Sequence, residues 1–298
     1  MRGKREIAEQ EEQKQFGKGP ELKNYRIAPK TIEVLEKLGI KSLFPIQQET
    51  FDLIYDGKDI IGKDITGSGK TLAYSLPLIE RFKQQKVIEP GKKRTERGPL
   101  ALIMVPTREL AIQVSNVFES IKQADEYKVI AVYGGAPIDQ QADGLRRGAE
   151  IVVGTTGRLM DHLERGNLKM NCLRCVILDE ADRMLDMGFQ EDVEKIFEYI
   201  RGTANSTSAL NGKQGNGSPQ SAIKQSPPQC LLFSATFPIW VRRVSGKYMD
   251  PAFTLVDLVK NLTNKTVSSV KHFAVFSPYF NRTSILADIS IIISLNSF

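Results

Sequence analysis

The chain has 298 residues, 41% hydrophobic and 26% charged, with a net charge of +6. This composition excludes a collagenous or wholly disordered chain, fits one large or two smaller globular domains, and mildly favours polyanionic partners. The longest apolar run, 285–295, is broken by Asp288 and serines and predicts no membrane span, and three cysteines build no disulfide framework.

Residues 1–21 read as a charged, solvated tail without the apolar stretch of a signal peptide. Ile32, Leu35 and Leu38 then recur at helical spacing and stop at Gly39, a C-cap signal. Pro45 opens a second helix that runs through Phe51 and Ile54 to the turn at Asp56 and Gly57. An apolar run at Ile60 and Ile61 precedes Gly67-Ser68-Gly69-Lys70-Thr71, and an amphipathic run from Leu72 to Phe82 follows. Strand, glycine-rich turn and helix in that order make a phosphate-binding loop. Its glycines let successive N–H groups point at an anion, and the helix adds its positive end. Lys70 reaches terminal phosphates in such a loop, and the Thr71 hydroxyl ligates magnesium. The strict pattern wants Gly six positions before the lysine, where this chain has Asp64. The plain alternative is a turn between a buried strand and a helix.

Further along, residues 86–99 hold a basic cluster, read as a solvated loop. Strand-like runs follow at 100–105, 129–133, 151–153, 175–178 and 231–233. The first ends at Pro106, with Thr107 as N-cap of the next helix. Gly134 and Gly135, then Gly154 to Arg158, close the second and third, Asp179-Glu180-Ala181-Asp182 closes the fourth, and Ser234-Ala235-Thr236 the fifth. Short, continuous apolar strands alternating with helical segments predict an α/β domain, a parallel sheet covered by helices on both faces. Ligands gather at the carboxyl ends of such strands, where every polar cluster just named falls. Residues 202–228, rich in Ser, Asn, Gly and Gln, read as a low-complexity, disordered insertion between a helix at 192–200 and the last strand. Cys172 and Cys175 have zinc-like spacing, but further ligands are scattered singly, so buried thiols are expected.

Asp179 and Glu180 after a buried strand suit the second half of a nucleotide-hydrolysis site. The aspartate holds Mg²⁺, partly through water, opposite Thr71, and the glutamate orients or deprotonates the attacking water. Acids decorating a helix N-terminus are the alternative.

The ordered set of motifs resembles the DEAD-box RNA helicases. Asp179 to Asp182 is that family's signature. Gly39 with Pro45, Ile46 and Gln47 resembles its Q motif, and Thr66 to Thr71 its motif I. Pro106 to Leu110 resembles motif Ia, Gly134-Gly135 the GG motif, Thr155 to Arg158 motif Ib, and Ser234 to Thr236 motif III. Residues 43–47 and 247–258 are most similar to the nucleolar helicase II/Gu subgroup.

The resemblance implies a RecA-like P-loop NTPase domain over 22–258 and, over 259–298, the start of a second RecA-like domain. It implies ATP and Mg²⁺ as cofactors, with Gln47, Thr66, Gly67, Ser68, Gly69, Lys70 and Thr71 at the nucleotide, and Lys70, Asp179 and Glu180 in catalysis. RNA is the implied partner, held by its backbone without sequence readout at Thr107, Arg108, Gly135, Thr155 and Arg158. Asp182, Ser234 and Thr236 are implied to couple nucleotide state to the rest of the protein. Surface salt bridges at the arginines and N-capping at Ser234 and Thr236 are the structural alternatives. Nuclear, nucleolar placement is expected, with cytoplasm as the alternative. Weak hydrolysis is expected of this chain alone, and a non-catalytic nucleotide- or RNA-binding module is the rival function. The chain departs from the family at Asp64, where Ala is usual, at Thr156, where Pro is usual, and at Leu22, where an aromatic flanks adenine.

Overall fold

The computed structural model describes residues 21–88, 98–122, 127–210, 227–260, 278, 282, 284–287 and 289. The chain divides into two compact units, Met1–Thr263 and Asn264–Phe298. In the second unit, residues 282, 284–287 and 289 are helical. The tail before residue 21, most of the basic cluster at 86–99 and most of 259–298 lie outside the described residues.

The first unit contains a seven-stranded, all-parallel sheet ordered β3-β4-β2-β5-β6-β1-β7. Its strands are β1 (Ile60–Lys63), β2 (Ala101–Val105), β3 (Val129–Val132), β4 (Ile151–Thr155), β5 (Cys175–Leu178), β6 (Gln229–Ser234) and β7 (Thr254–Asp257). The two core clusters alternate along the inner strands β2, β4, β5 and β6, as a period of two requires. Ile60, Ile103, Val153, Ile177 and Phe233 share one face with α1 (Pro29–Lys37), α2 (Pro45–Tyr55), α3 (Lys70–Ile88) and α4 (Arg108–Ile121). Ile61, Leu102, Val152, Val176 and Leu232 share the other with α5 (Ile138–Arg147), α6 (Thr156–Glu164), α7 (Ala181–Asp186), α8 (Gln190–Leu210) and α9 (Ile239–Tyr248). The expected helix–sheet–helix layering is therefore present.

One expectation needs correction. Residues 202–210, read as the start of a disordered insertion, continue α8 to Leu210. Helix propagation adds one backbone hydrogen bond per residue to a nucleus already formed, so it tolerates a polar run that could not start a helix. The rest of that stretch, 211–226, lies outside the described residues. The cysteines are free thiols, with Cys175 and Cys230 buried. Among the described residues no trio of His, Cys, Asp or Glu could hold a metal ion, and no helix is long and apolar enough to cross a membrane.

Candidate nucleotide and nucleic-acid site

β1 and β5 deliver their ends to the same edge of the sheet, separated only by β6. Between β1 and α3 the chain turns through Gly67 and Gly69, with φ of 84° and 83°, angles that glycine adopts freely. Lys70 opens α3, and its Nζ donates to the carbonyls of Asp64 at 2.9 Å and Ile65 at 2.6 Å. Burial pushes the Lys70 pKa down, opposed by the carboxylates of Asp179, Asp64, Glu180 and Asp182. Asp64 is buried and caps the loop: its Oδ1 accepts from the Ile65 amide at 2.8 Å. The Ser68 hydroxyl is buried without a partner.

The Gln47 side chain bonds within the protein at both ends. Its Oε1 accepts from the Phe44 amide at 2.8 Å and its Nε2 donates to the Gly69 carbonyl at 3.0 Å. The side chain clamps the start of α2 to the loop. A Cβ on Gly69 would lie 2.4 Å from Gln47 Nε2, so close approach as well as φ requires glycine there. Leu22, where an aromatic was expected, is core, while Tyr25 packs its ring 5.2 Å from that of Phe51.

Opposite the loop, Asp179 follows β5 and is buried. Its Oδ2 accepts from the Tyr74 hydroxyl at 2.9 Å, and its Oδ1 from the Glu180 amide at 2.9 Å. Burial raises its pKa to about 6, against the pull of Tyr74 and Lys70. Glu180 has φ of 52°, making it the one non-glycine residue with positive φ among the described residues. Such a left-handed residue costs about 1–2 kcal/mol, and strain of this kind clusters at functional sites. Its Oε2 accepts from Arg183 Nη1 at 3.1 Å. Asp182 Oδ2 accepts from both the amide and the hydroxyl of Thr236, each at 2.9 Å, and the Asp182 amide donates to Ser234 Oγ at 3.2 Å. Hydrogen bonds thus join Asp182 to both Ser234 and Thr236. A cleft of about 570 Å³ lies at the loop, lined by polar residues that include Lys70, Thr71, Asp179 and Glu180 and by apolar ones that include Leu38 and Val117.

Further along the same edge, Thr107 caps α4 by accepting from the Leu110 amide at 3.3 Å. Arg108 is exposed, beside the Tyr133 ring at 6.0 Å, and a Cβ on Gly135 would meet its Nη1 at 3.1 Å. Arg158 is turned inward. Its Nη1 donates to the Ala136 carbonyl at 2.9 Å, it pairs with Asp161 at 3.4 Å, and only 14% of its side chain is exposed. Thr155 ends β4 opposite Val105. Arg158 and Arg108 thus meet the loop Tyr133 to Pro137, which contains Gly135, while Thr107 and Thr155 stand at the ends of the paired strands β2 and β4. Tyr74 and Arg183 were not singled out from sequence. Tyr74 lies three residues past Thr71 on the apolar stripe of α3, and its hydroxyl was the only signal.

The family model described as DEAD/DEAH box helicase matches residues 44–244. The chain is 40% identical over 266 residues to the ATP-dependent RNA helicase DDX50 of Mus musculus, covering 89% of this chain and 33% of that protein. It is 38% identical over 270 residues to the nucleolar RNA helicase 2 of Rattus norvegicus, covering 89% and 31%. The chain thus spans about a third of the length of these curated relatives. Among solved structures, a DEAD box protein from Methanococcus jannaschii superposes with a TM-score of 0.64 at 32% identity, covering 81% of this chain and 57% of that one. The yeast DEAD-box splicing factor Prp28 gives 0.62 at 29% identity, covering 76% and 48%.

Proposed function

The chain belongs to the DEAD/DEAH box helicase family and has its RecA-like fold, and from that premise we propose that it binds Mg·ATP over the Gly67–Thr71 loop, with an RNA backbone along the Tyr133–Pro137 loop. The observation that carries the reading is the meeting of Lys70 with Asp179 and Glu180 in one cleft, from two strands that are not neighbours. The donors present fit a magnesium nucleotide. They are hard oxygens, Ser68 Oγ is buried without a partner on the loop, and burial holds the Asp179 carboxyl at about 6, a cost that a cation relieves.

In this reading the amides of Gly67 to Thr71 cradle the phosphates with Thr66 and Ser68 beside them, Lys70 exchanges two carbonyl partners for a phosphate oxygen, and Gln47 fixes the loop below. Thr71 and Asp179 would hold Mg²⁺, which would supply positive charge at the phosphates. Glu180 orients the water whose oxygen attacks the terminal phosphorus, taking its proton while ADP leaves. Asp182, tied to Ser234 and Thr236, passes changes at this site to β6. Arg108, Thr107, the bare backbone of Gly135, Thr155 and Arg158 meet phosphate and ribose, contacts that carry no sequence information. We assign 22–258 to one RecA-like domain and 259–298 to the beginning of another. Nucleolar placement is proposed from the name of the rat relative and the charge of +6.

The experiment is ATP hydrolysis, with and without single-stranded RNA, by the chain joined to a second RecA-like domain. RNA-stimulated phosphate release, lost in Glu180→Gln, is expected. Equal turnover with and without RNA would overturn the reading.

A further inference from the structure

The loop Tyr133–Pro137 carries two glycines, one of them Gly135 with φ of 82°, and so has little side-chain packing of its own to hold its shape. It is held from behind by α6 through two separate ties. Arg158 and His162 stand four residues apart, on one face of that helix. The first tie is Arg158 Nη1 to the Ala136 carbonyl. The second runs through a neighbouring helix. His162 Nε2 lies 3.3 Å from Gln141 Oε1, and Gln141 Nε2 donates to the Tyr133 carbonyl at 3.0 Å. His162 has no exposed surface and Gln141 is 9% exposed.

Gln141 donates from Nε2 to Tyr133 and its oxygen can only accept, so with this amide orientation His162 carries its proton on Nε2. Nδ1 then accepts from Asn167 Nδ2 at 3.3 Å. A neutral imidazole satisfies every partner, and burial followed by the charge of Arg158 pushes the His162 pKa below its ordinary value. The same α6 begins directly after Thr155, so the ties fix the loop after β3 relative to the turn after β4.

We propose that Gln141 and His162 are positioning residues for RNA, a buried latch that sets the spacing between the Gly134–Gly135 loop and the Thr155–Arg158 turn. This rests on the reading of those two segments as a backbone-binding surface. A ligand surface that is already ordered loses less entropy on binding, so the latch acts through affinity without touching RNA.

The test measures binding of a fluorescein-labelled single-stranded oligouridylate by the whole chain, with Mg·ATP affinity and hydrogen exchange measured alongside. Gln141→Leu removes both contacts at similar volume. Gln141→Glu keeps an acceptor for His162 but sets an oxygen against the Tyr133 carbonyl, and it decides the matter if the leucine variant does not fold. Loss of both contacts in Gln141→Leu, and of the Tyr133 contact with oxygen–oxygen repulsion in its place in Gln141→Glu, predicts RNA affinity about tenfold weaker in each variant. Mg·ATP affinity should be unchanged, and exchange should rise only in peptides covering 130–140 and 154–160. Arg108→Ala, at an exposed residue of the surface itself, reports on the underlying reading. If Arg108→Ala weakens RNA binding while both Gln141 variants stay within about twofold of wild type, the latch is refuted and the surface stands. If Arg108→Ala also binds as wild type, the surface reading falls and the latch with it. Exchange raised evenly across the domain would reduce Gln141 to ordinary packing.

Discussion

Asp179→Asn should stabilise the nucleotide-free chain at neutral pH while abolishing its response to Mg·ATP. The carboxyl is buried, and its pKa stands at about 6 in the folded chain against an ordinary 3.8. The unfolded chain therefore releases this proton near pH 4 and the folded chain near pH 6. Between those values the folded state binds more protons, so raising the pH through that window lowers stability. At 1.36 kcal/mol per pH unit, the full cost above pH 7 is about 3 kcal/mol. Asparagine removes that cost and can still accept from the Glu180 amide while its NH₂ faces the Tyr74 hydroxyl. Lys70 loses a buried counter-charge in the exchange, which offsets part of the gain. A net stabilisation of about 1–3 kcal/mol near pH 8 is expected. Urea unfolding of both proteins from pH 4 to pH 8, in chelator, is the assay. The advantage of the variant should grow between pH 4 and pH 6 and then level off. Added Mg·ATP should stabilise wild type only. Parallel stability curves, or a variant less stable at pH 8, would refute the electrostatic account of Asp179.

Three further outcomes can be checked at the bench. Thr156→Pro should stabilise the fold by about 0.5–1 kcal/mol in urea unfolding. Thr156 is the first residue of α6, Thr155 before it has φ of −80° and ψ of 143°, as proline demands of its predecessor, and the Thr156 hydroxyl is buried without a partner. Gly69→Ala should abolish binding of fluorescent ATP at nearly unchanged helix content, because its Cβ strikes Gln47 and the left-handed φ opposes it. Asp64→Ala should tighten Mg·ATP severalfold in the same titration, since it removes a buried carboxylate beside Lys70, and unchanged affinity would show that its charge is spent on the Ile65 amide.

Much of the layering was legible because burial on both faces writes strands as unbroken apolar runs, such as Cys175–Leu178, between amphipathic helices. The polar clusters were legible because each directly follows such a run. Strand order was not, since nothing local says that β6 lies between β5 and β1. Contacts that this order creates were hidden for the same reason. Tyr74 reads as one more apolar residue of α3 until the fold brings Asp179 to its hydroxyl across 105 positions. The inward hydrogen bonds of Gln47 and Arg158 were not legible. Each binds backbone carbonyls inside the protein, because a buried donor must find an acceptor whatever ligand it also serves. The extension of α8 to Leu210 was missed because composition reports the ability to build a core and not the ability to prolong a helix.

The most direct test of the nucleotide site is calorimetric titration of this chain with ATP, in Mg²⁺ and in chelator, for wild type and Lys70→Ala. Saturable, magnesium-dependent binding by wild type that disappears in the variant is predicted. Equal binding by the two proteins, or no dependence on magnesium, would contradict the assignment of Lys70, Thr71 and Asp179.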